Sequence, residues 1–216
     1  ANLYSDEPLA DGKGKRDTTH YQMQVEDNIL HALLPELEQT CNYRARATEI
    51  AAWNARQTAL RRGIAITPVK FGISFTATLF NQAGALVHVY TDGSVLVTAS
   101  DTSKVPNASA TAASSGTDLN GRAAQFAARN IRDNLASFVC GLDTCGAGEI
   151  TFAGGEVISP KGRRSFNEVV KEAYANRIQL WSDGFYRTPK IHYDKTTLTG
   201  RPFFYFASGA ACTAVG

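Results

Sequence analysis

The stretch that decides the fold class is Gly63–Thr98, GIAITPVKFGISFTATLFNQAGALVHVYTDGSVLVT. Ile64, Ile66, Phe71, Ile73 and Phe75 alternate with smaller or polar residues, the period of half-buried β structure. Leu86–Tyr90 and Ser94–Thr98 flank Thr91-Asp92-Gly93, and Asp-Gly favours the positive φ angles of a tight hairpin. Val105–Gly121, VPNASATAASSGTDLNG, follows as a loop of small hydroxylated residues that runs into a helix start. Such a loop allows close approach of an anion.

Working outward, the first twenty residues are polar and read as an extended loop. Val25, Ile29, Leu30, Leu33 and Leu34 predict a helix over Met23–Leu34 that Pro35 ends or kinks. A second helix is expected over Tyr43–Arg61, with Arg61-Arg62 complementing its dipole and Gly63 as C-cap. A third, capped by Thr117 or Asp118, runs to about Val139, with Leu119, Ala123, Phe126, Ala127, Ile131, Leu135 and Phe138 on one face. Short strands at Glu149–Phe152 and Glu156–Ile158 flank Ala153-Gly154-Gly155. Ser165 and Glu168 form a capping box for Phe166–Gln179. Trp181–Tyr193 and Pro202–Cys212 read as extended, aromatic-rich segments. Helices interspersed with hairpins predict an α+β class, with mixed or antiparallel sheets and packed helices.

The chain has 216 residues, 44% hydrophobic and 19% charged, enough for one or two globular units. Its net charge of +2 is scattered, which points away from a nucleic-acid groove. No apolar run approaches the ~20 residues of a membrane span. Cys41 and Cys212 stand alone in sequence, and Cys140 and Cys145 form a Cys-x4-Cys pair. Inert thiols in a reducing compartment are expected, and His20, His31, His88 and His192 show no ligand spacing. The chain starts at Ala1, so it is expected to begin inside a longer polypeptide.

Two clusters could carry chemistry. Thr111, Ser114, Ser115 and Thr117 offer hydroxyls beside the Asp118 helix start, where unpaired N–H groups could hold a phosphate. The alternative is capping and turn formation, which Ser and Thr perform routinely. Phe75 and Thr76 end the first strand and serve either as core or as a pocket wall. Asn81-Gln82 and His88 read as local hydrogen-bonding groups.

Lys70–Thr76 (KFGISFT), Leu79–Thr98, Val105–Gly121 and Gly184–Tyr193 (GFYRTPKIHY) resemble the molybdopterin-binding large subunit of the xanthine dehydrogenase family of molybdenum hydroxylases. The likeness runs from Asn2–Tyr21 to Gly200–Cys212. It implies an α+β molybdopterin-binding region, with 1–62 a helical lead-in and 63–216 the cofactor-binding part. It implies that Ala112 and Ala113 lie by the metal, and that Ser114 and Ser115 lie by the cofactor's phosphate. Phe75 and Thr76 would line a pocket for a flat purine. The resemblance further implies iron–sulfur clusters and FAD on a partner subunit, a cytoplasmic oligomer, and hydroxylation of hypoxanthine and xanthine.

The likeness is incomplete. The family's Gly-Gly-Thr-Glu-Met-Gly-Gln-Gly loop and the helix after it are missing at Thr98–Ala99. Its Phe-Arg-Gly-Phe-Gly-Gly segment would lie before Ala1, and its general-base glutamate after Gly216. Ser208 and Ala214 replace a usual tyrosine and a usual acidic residue. No catalytic residue is therefore assigned, and the isolated chain is expected to be inactive. The alternative is a catalytically inactive remnant serving as a scaffold or interaction module.

Overall fold

Strand β1, Gly63–Ile73, pairs antiparallel with β10, Tyr205–Val215, in unbroken register from Gly63 opposite Val215 to Ile73 opposite Tyr205. Between them the chain order is β2 (Gln82–Val89), β3 (Val95–Ala99), α3 (Arg122–Asp143), β4 (Thr151–Ala153), β5 (Glu156–Ser159), β6 (Gly162–Ser165), α4 (Phe166–Ala175), β7 (Trp181–Arg187), β8 (His192–Asp194) and β9 (Thr199–Arg201). Helices α1 (Leu30–Thr40) and α2 (Tyr43–Ala55) precede β1. This computed structural model describes residues 3–5, 7–8, 15–57, 59–99, 105, 107–110, 112 and 114–216. The strand pairs among the described residues are antiparallel, giving the α+β class.

The chain divides into two compact units, Ala1–Thr76 with Lys190–Gly216, and Ala77–Pro189. β1 and β10 join the two helices in the first unit.

In the first unit, the β1–β10 ribbon packs close to aromatic side chains. A Cβ on Gly72 would stand 2.5 Å from the Phe203 ring, so only glycine lets that ring lie against β1. The Lys70 ammonium sits 4.2 Å from the ring centres of both Tyr4 and Phe206, a cation–π sandwich. Arg201 grips the Glu26 carboxylate with two hydrogen bonds of 2.8 and 2.9 Å.

The helix expected over Met23–Leu34 is displaced to α1, with Pro35 inside it. Met23 and Val25 are buried, but as extended residues: Met23 N donates to Thr19 Oγ1 (3.0 Å), and Val25 N to Asp17 O (2.6 Å). Two apolar residues at i and i+2 belong to the strand period, and the helical stripe starts only at Leu30. The second helix stops at Ala55, not Arg61, so Gly63 opens β1 instead of capping α2. Asn54 ends it, accepting from Arg62 N (2.8 Å) and donating to Arg62 O (2.9 Å). Because α2 buries no residue, no packing energy extends it further.

In the second unit, α3 carries Leu119, Ala123, Ala127, Ile131, Leu135 and Val139 on its preceding turn and body at four-residue spacing, and all are buried. Leu119 and Ala123 pack with Ala83 and Ala85 of β2, and Ala127, Ile131, Leu135 and Val139 with Val87 and Val89 of β2, Val157, the α4 residues Val169, Val170 and Ala173, and Leu180. Burying a Leu or Val side chain is worth roughly 1.5–3 kcal/mol, so this helix–sheet interface dominates the unit's stability. Phe126, expected on the same face, is 41% exposed and stacks on Tyr186 at 6.2 Å. The three-stranded sheet β3-β2-β7 lies against α3, and β4-β5-β6 forms a second small sheet.

The turns follow their sequence signals. Tyr90 N donates to Ser94 O (2.9 Å), Gly93 N donates to Tyr90 O (2.8 Å), and Gly93 alone in the loop takes positive φ, at 83°. The Asp92 carboxylate accepts from Ser94 N (2.9 Å) and Ser94 Oγ (2.6 Å), which holds it below the usual carboxylate range. Gly154 and Gly155 both take positive φ between paired Ala153 and Glu156, the two-residue type I′ turn. The capping box of α4 is present: Glu168 N donates to Ser165 Oγ (3.2 Å), and Ser165 N to Glu168 Oε2 (2.9 Å). That helix ends at Ala175, short of Gln179.

Candidate functional site

The hydroxyl-rich segment enters the second unit's helix differently from the simple cap read in the sequence. Neither Thr117 nor Asp118 caps a helix, because both lie within a π-helical turn, Thr117–Gly121, that runs directly into α3. Such widened turns recur at functional sites because they push backbone and side chains off the regular helical positions. Asn120 on this turn has a buried side-chain oxygen without a hydrogen-bond partner, an acceptor that a donor-bearing ligand would satisfy.

Ahead of the turn, Ser115 is 2% exposed, and its hydroxyl donates to the Ala112 carbonyl at 2.8 Å. Its backbone N–H donates to the same oxygen at 3.2 Å, and its carbonyl accepts from Leu119 N at 2.8 Å. Ser115 therefore closes the corner that sets the helix direction. Ser114 is exposed with a left-handed φ of 52°, and Ala112 is exposed. Thr111 and Ala113 lie outside the described residues.

The loop is tied to the sheet upstream of this corner. Asn107 Nδ2 donates to Gln82 Oε1 (2.8 Å), and Ser109 Oγ donates to Gln82 O (2.9 Å). Gln82 Nε2 in turn donates to Leu79 O at 2.8 Å. Gln82 and Asn81 thus do the local bonding expected of them. Asn107, Ser109 and Asn120 are site-shaping residues that the sequence reading passed over; the only signal was their place in an Asn/Ser-rich loop and an Asn-Gly step. His88 lies between the rings of Tyr90 and Trp181, each 6.4 Å away, and takes a packing role.

Phe75 and Thr76 belong to the first unit. β1 ends at Ile73, the buried Ser74 turns the chain with φ 139°, and Phe75 is half-buried while Thr76 is exposed. The pair therefore follows the strand instead of forming its last residues.

The model of the molybdopterin cofactor-binding domain matches this chain over residues 36–100 and 97–216. The chain belongs to that family. The two matched stretches overlap at residues 97–100, around the Thr98–Ala99 junction. The xanthine dehydrogenase/oxidase of Mus musculus is 34% identical over 231 aligned positions, which cover 92% of this chain and 16% of the mouse protein. The xanthine dehydrogenase of Oryza sativa subsp. japonica is also 34% identical, over 91% of this chain and 15% of its own length. The chain thus spans about a sixth of the curated relatives it matches. Quinoline 2-oxidoreductase from Pseudomonas putida 86 matches in fold with a TM-score of 0.69 at 18% identity, over 96% of this chain and 30% of that one. The α+β architecture matches that solved structure.

No helix among the described residues is long and apolar enough to cross a membrane. No group of three or more His, Cys, Asp or Glu among them could hold a metal ion.

Proposed function

We propose that this chain supplies part of the wall of a molybdopterin site in a xanthine dehydrogenase that hydroxylates hypoxanthine and xanthine. The observation that carries this reading is the 34% identity to xanthine dehydrogenases across 92% of the chain, together with the exposed Ala112 and Ser114 at a helix entry. The residues fit a phosphate-bearing cofactor. Ala112 offers no bulk, Ser114 offers an exposed hydroxyl, and the first N–H groups of a helix favour an anion. Ser115 supports that surface from below through its bond to the Ala112 carbonyl. By the family resemblance Ala113, which lies outside the described residues, would be the residue beside the metal.

The bound cofactor supplies the redox centre that takes two electrons from the substrate. This chain's residues bind and orient. Phe75 lies against the face of a flat purine, and the Thr76 hydroxyl bonds its edge. In such an enzyme, a cytoplasmic oligomer, iron–sulfur clusters and FAD on a partner subunit would supply the path by which the electrons leave.

A second reading rests on the Thr98–Ala99 junction. The break of the family match into two stretches there, at the place where the resemblance expects a further loop, favours a remnant that serves as a scaffold and does not turn over. Metal and pterin analysis decides between the two. The chain would be purified from a host that makes the cofactor, and molybdenum and pterin fluorescence measured per chain. Stoichiometric molybdenum that is lost in Ala112→Leu supports cofactor binding. A chain devoid of molybdenum and pterin leaves only the scaffold.

A further inference from the structure

The C-terminal end of α3 brings two cysteines together. Thr144 caps the helix in the left-handed conformation, with φ 56° and ψ 52°. Cys145 N then donates back to Cys140 O at 3.2 Å, the 6→1 bond that reverses the chain at a helix end. In this arrangement the side chains of the first and last residues of the turn meet, a position ordinarily filled by an apolar contact. Here both positions are cysteine. The Cys140 thiol is turned onto the Cys145 carbonyl, and both residues are half-buried and free. A 6→1 turn brings its end Cα atoms towards the separation a disulfide needs, roughly 4.4–6.8 Å.

We propose that Cys140 and Cys145 are a redox-active dithiol that closes into a disulfide across the last turn of α3. The oxidant class is a small disulfide such as oxidised glutathione. One cysteine thiolate attacks a glutathione sulfur, forming a mixed disulfide and releasing one glutathione thiolate. The other cysteine attacks the cysteine sulfur of that mixed disulfide, forming the Cys140–Cys145 bond and releasing the second glutathione. The two cysteine protons end on the two glutathione thiols, and two electrons pass from the pair to the oxidant.

Closure pins Thr144 in its left-handed state and holds Asp143, whose carboxylate meets Arg164 of β6 at 2.5 Å. The ion pair, not the disulfide, joins the end of α3 to the β4-β5-β6 sheet, and the disulfide fixes the turn from which Asp143 reaches it. Burial pushes the Cys145 thiol up, and the Cys140 thiol beside it adds to the shift. Exchange is accordingly faster in alkaline buffer, since the thiolate is the nucleophile.

The test equilibrates the full chain in glutathione buffers of graded potential, blocks free thiols with N-ethylmaleimide, and maps tryptic peptides by mass. Cys140 and Cys145 share the peptide Asp133–Lys161, which contains no internal Lys or Arg. The expected product is that peptide lighter by two hydrogens and free of maleimide, restored to two maleimides by dithiothreitol. Cys145→Ser should instead carry glutathione on Cys140. The proposal is overturned if the wild-type peptide keeps two maleimides at every potential, if it carries glutathione without closing the ring, or if its cysteines cross-link to another peptide.

Discussion

Gly184 of β7 lies so close to α3 that a Cβ there would stand 2.1 Å from the Ala123 carbonyl oxygen and 2.6 Å from Ala127 N. Both are helix backbone atoms, which cannot rotate away. Ala123 and Ala127 are themselves fully buried, so strand and helix approach through small residues on both sides. Gly184→Ala should therefore force β7 off the helix and cost at least about 1–3 kcal/mol, as overpacking does. Urea unfolding checks this, and an unchanged midpoint would mean the helix and strand stand farther apart.

The hairpin turn gives a second prediction. Gly93 has φ 83°, and a Cβ there would also meet the Asn167 side-chain oxygen at 1.8 Å. Gly93→Val thus combines backbone strain of about 1–2 kcal/mol with a displaced Asn167. Asn167→Ala made alongside should relieve only the steric share. Equal thermal stability of Gly93→Val and wild type would count against this turn.

Acid sensitivity should centre partly on Asp143. Its buried carboxylate is held below the usual aspartate range, chiefly by the Ser159 hydroxyl and also by Arg164. A lowered folded value means the stabilisation is fully present above the unfolded value of the group. It is lost as pH falls through the folded value. Melting temperature should drop as pH is taken from neutrality below about 4, the unfolded aspartate value. The drop should be shallower in Asp143→Asn, which starts less stable. Parallel curves for the two proteins would exclude this pair as a contributor.

For the proposed pocket, the substitutions matching Phe75→Ala and Thr76→Ala belong in a complete xanthine dehydrogenase. Loss of the ring should weaken binding of flat heterocycles, while loss of the hydroxyl should cost roughly 0.5–1.5 kcal/mol in kcat/KM. If both leave kcat/KM for xanthine unaltered, the pair is ordinary packing.

Local signals were legible where the physics is local. The Gly154-Gly155 turn, the Tyr90–Ser94 hairpin and the Ser165–Glu168 capping box depend on residues within a few positions of one another, and each appears where the sequence places it. The apolar spacing of α3 was equally readable, because a four-residue step defines one face regardless of what covers it. Helix ends were misjudged where a side chain distant from the pattern decides them. Asn54 terminates α2 by binding Arg62, and Thr19 draws Met23 into an extended segment. The candidate site was legible as a segment, but Ser115's inward turn and Asn120's buried oxygen depend on a widened helical turn that no spacing rule announces.

By itself, the sequence determined the α+β class, the family and the identity of the small, hydroxylated residues at the helix entry, because periodicity and motif chemistry are properties of neighbouring residues. Tertiary structure alone decided that β10 returns to pair along the whole of β1, that Gly184 meets the backbone of α3, and that Arg201 grips the Glu26 carboxylate. Those relationships join residues far apart along the chain. They arise from the packing of apolar faces and the closing of long loops, which a local pattern does not encode.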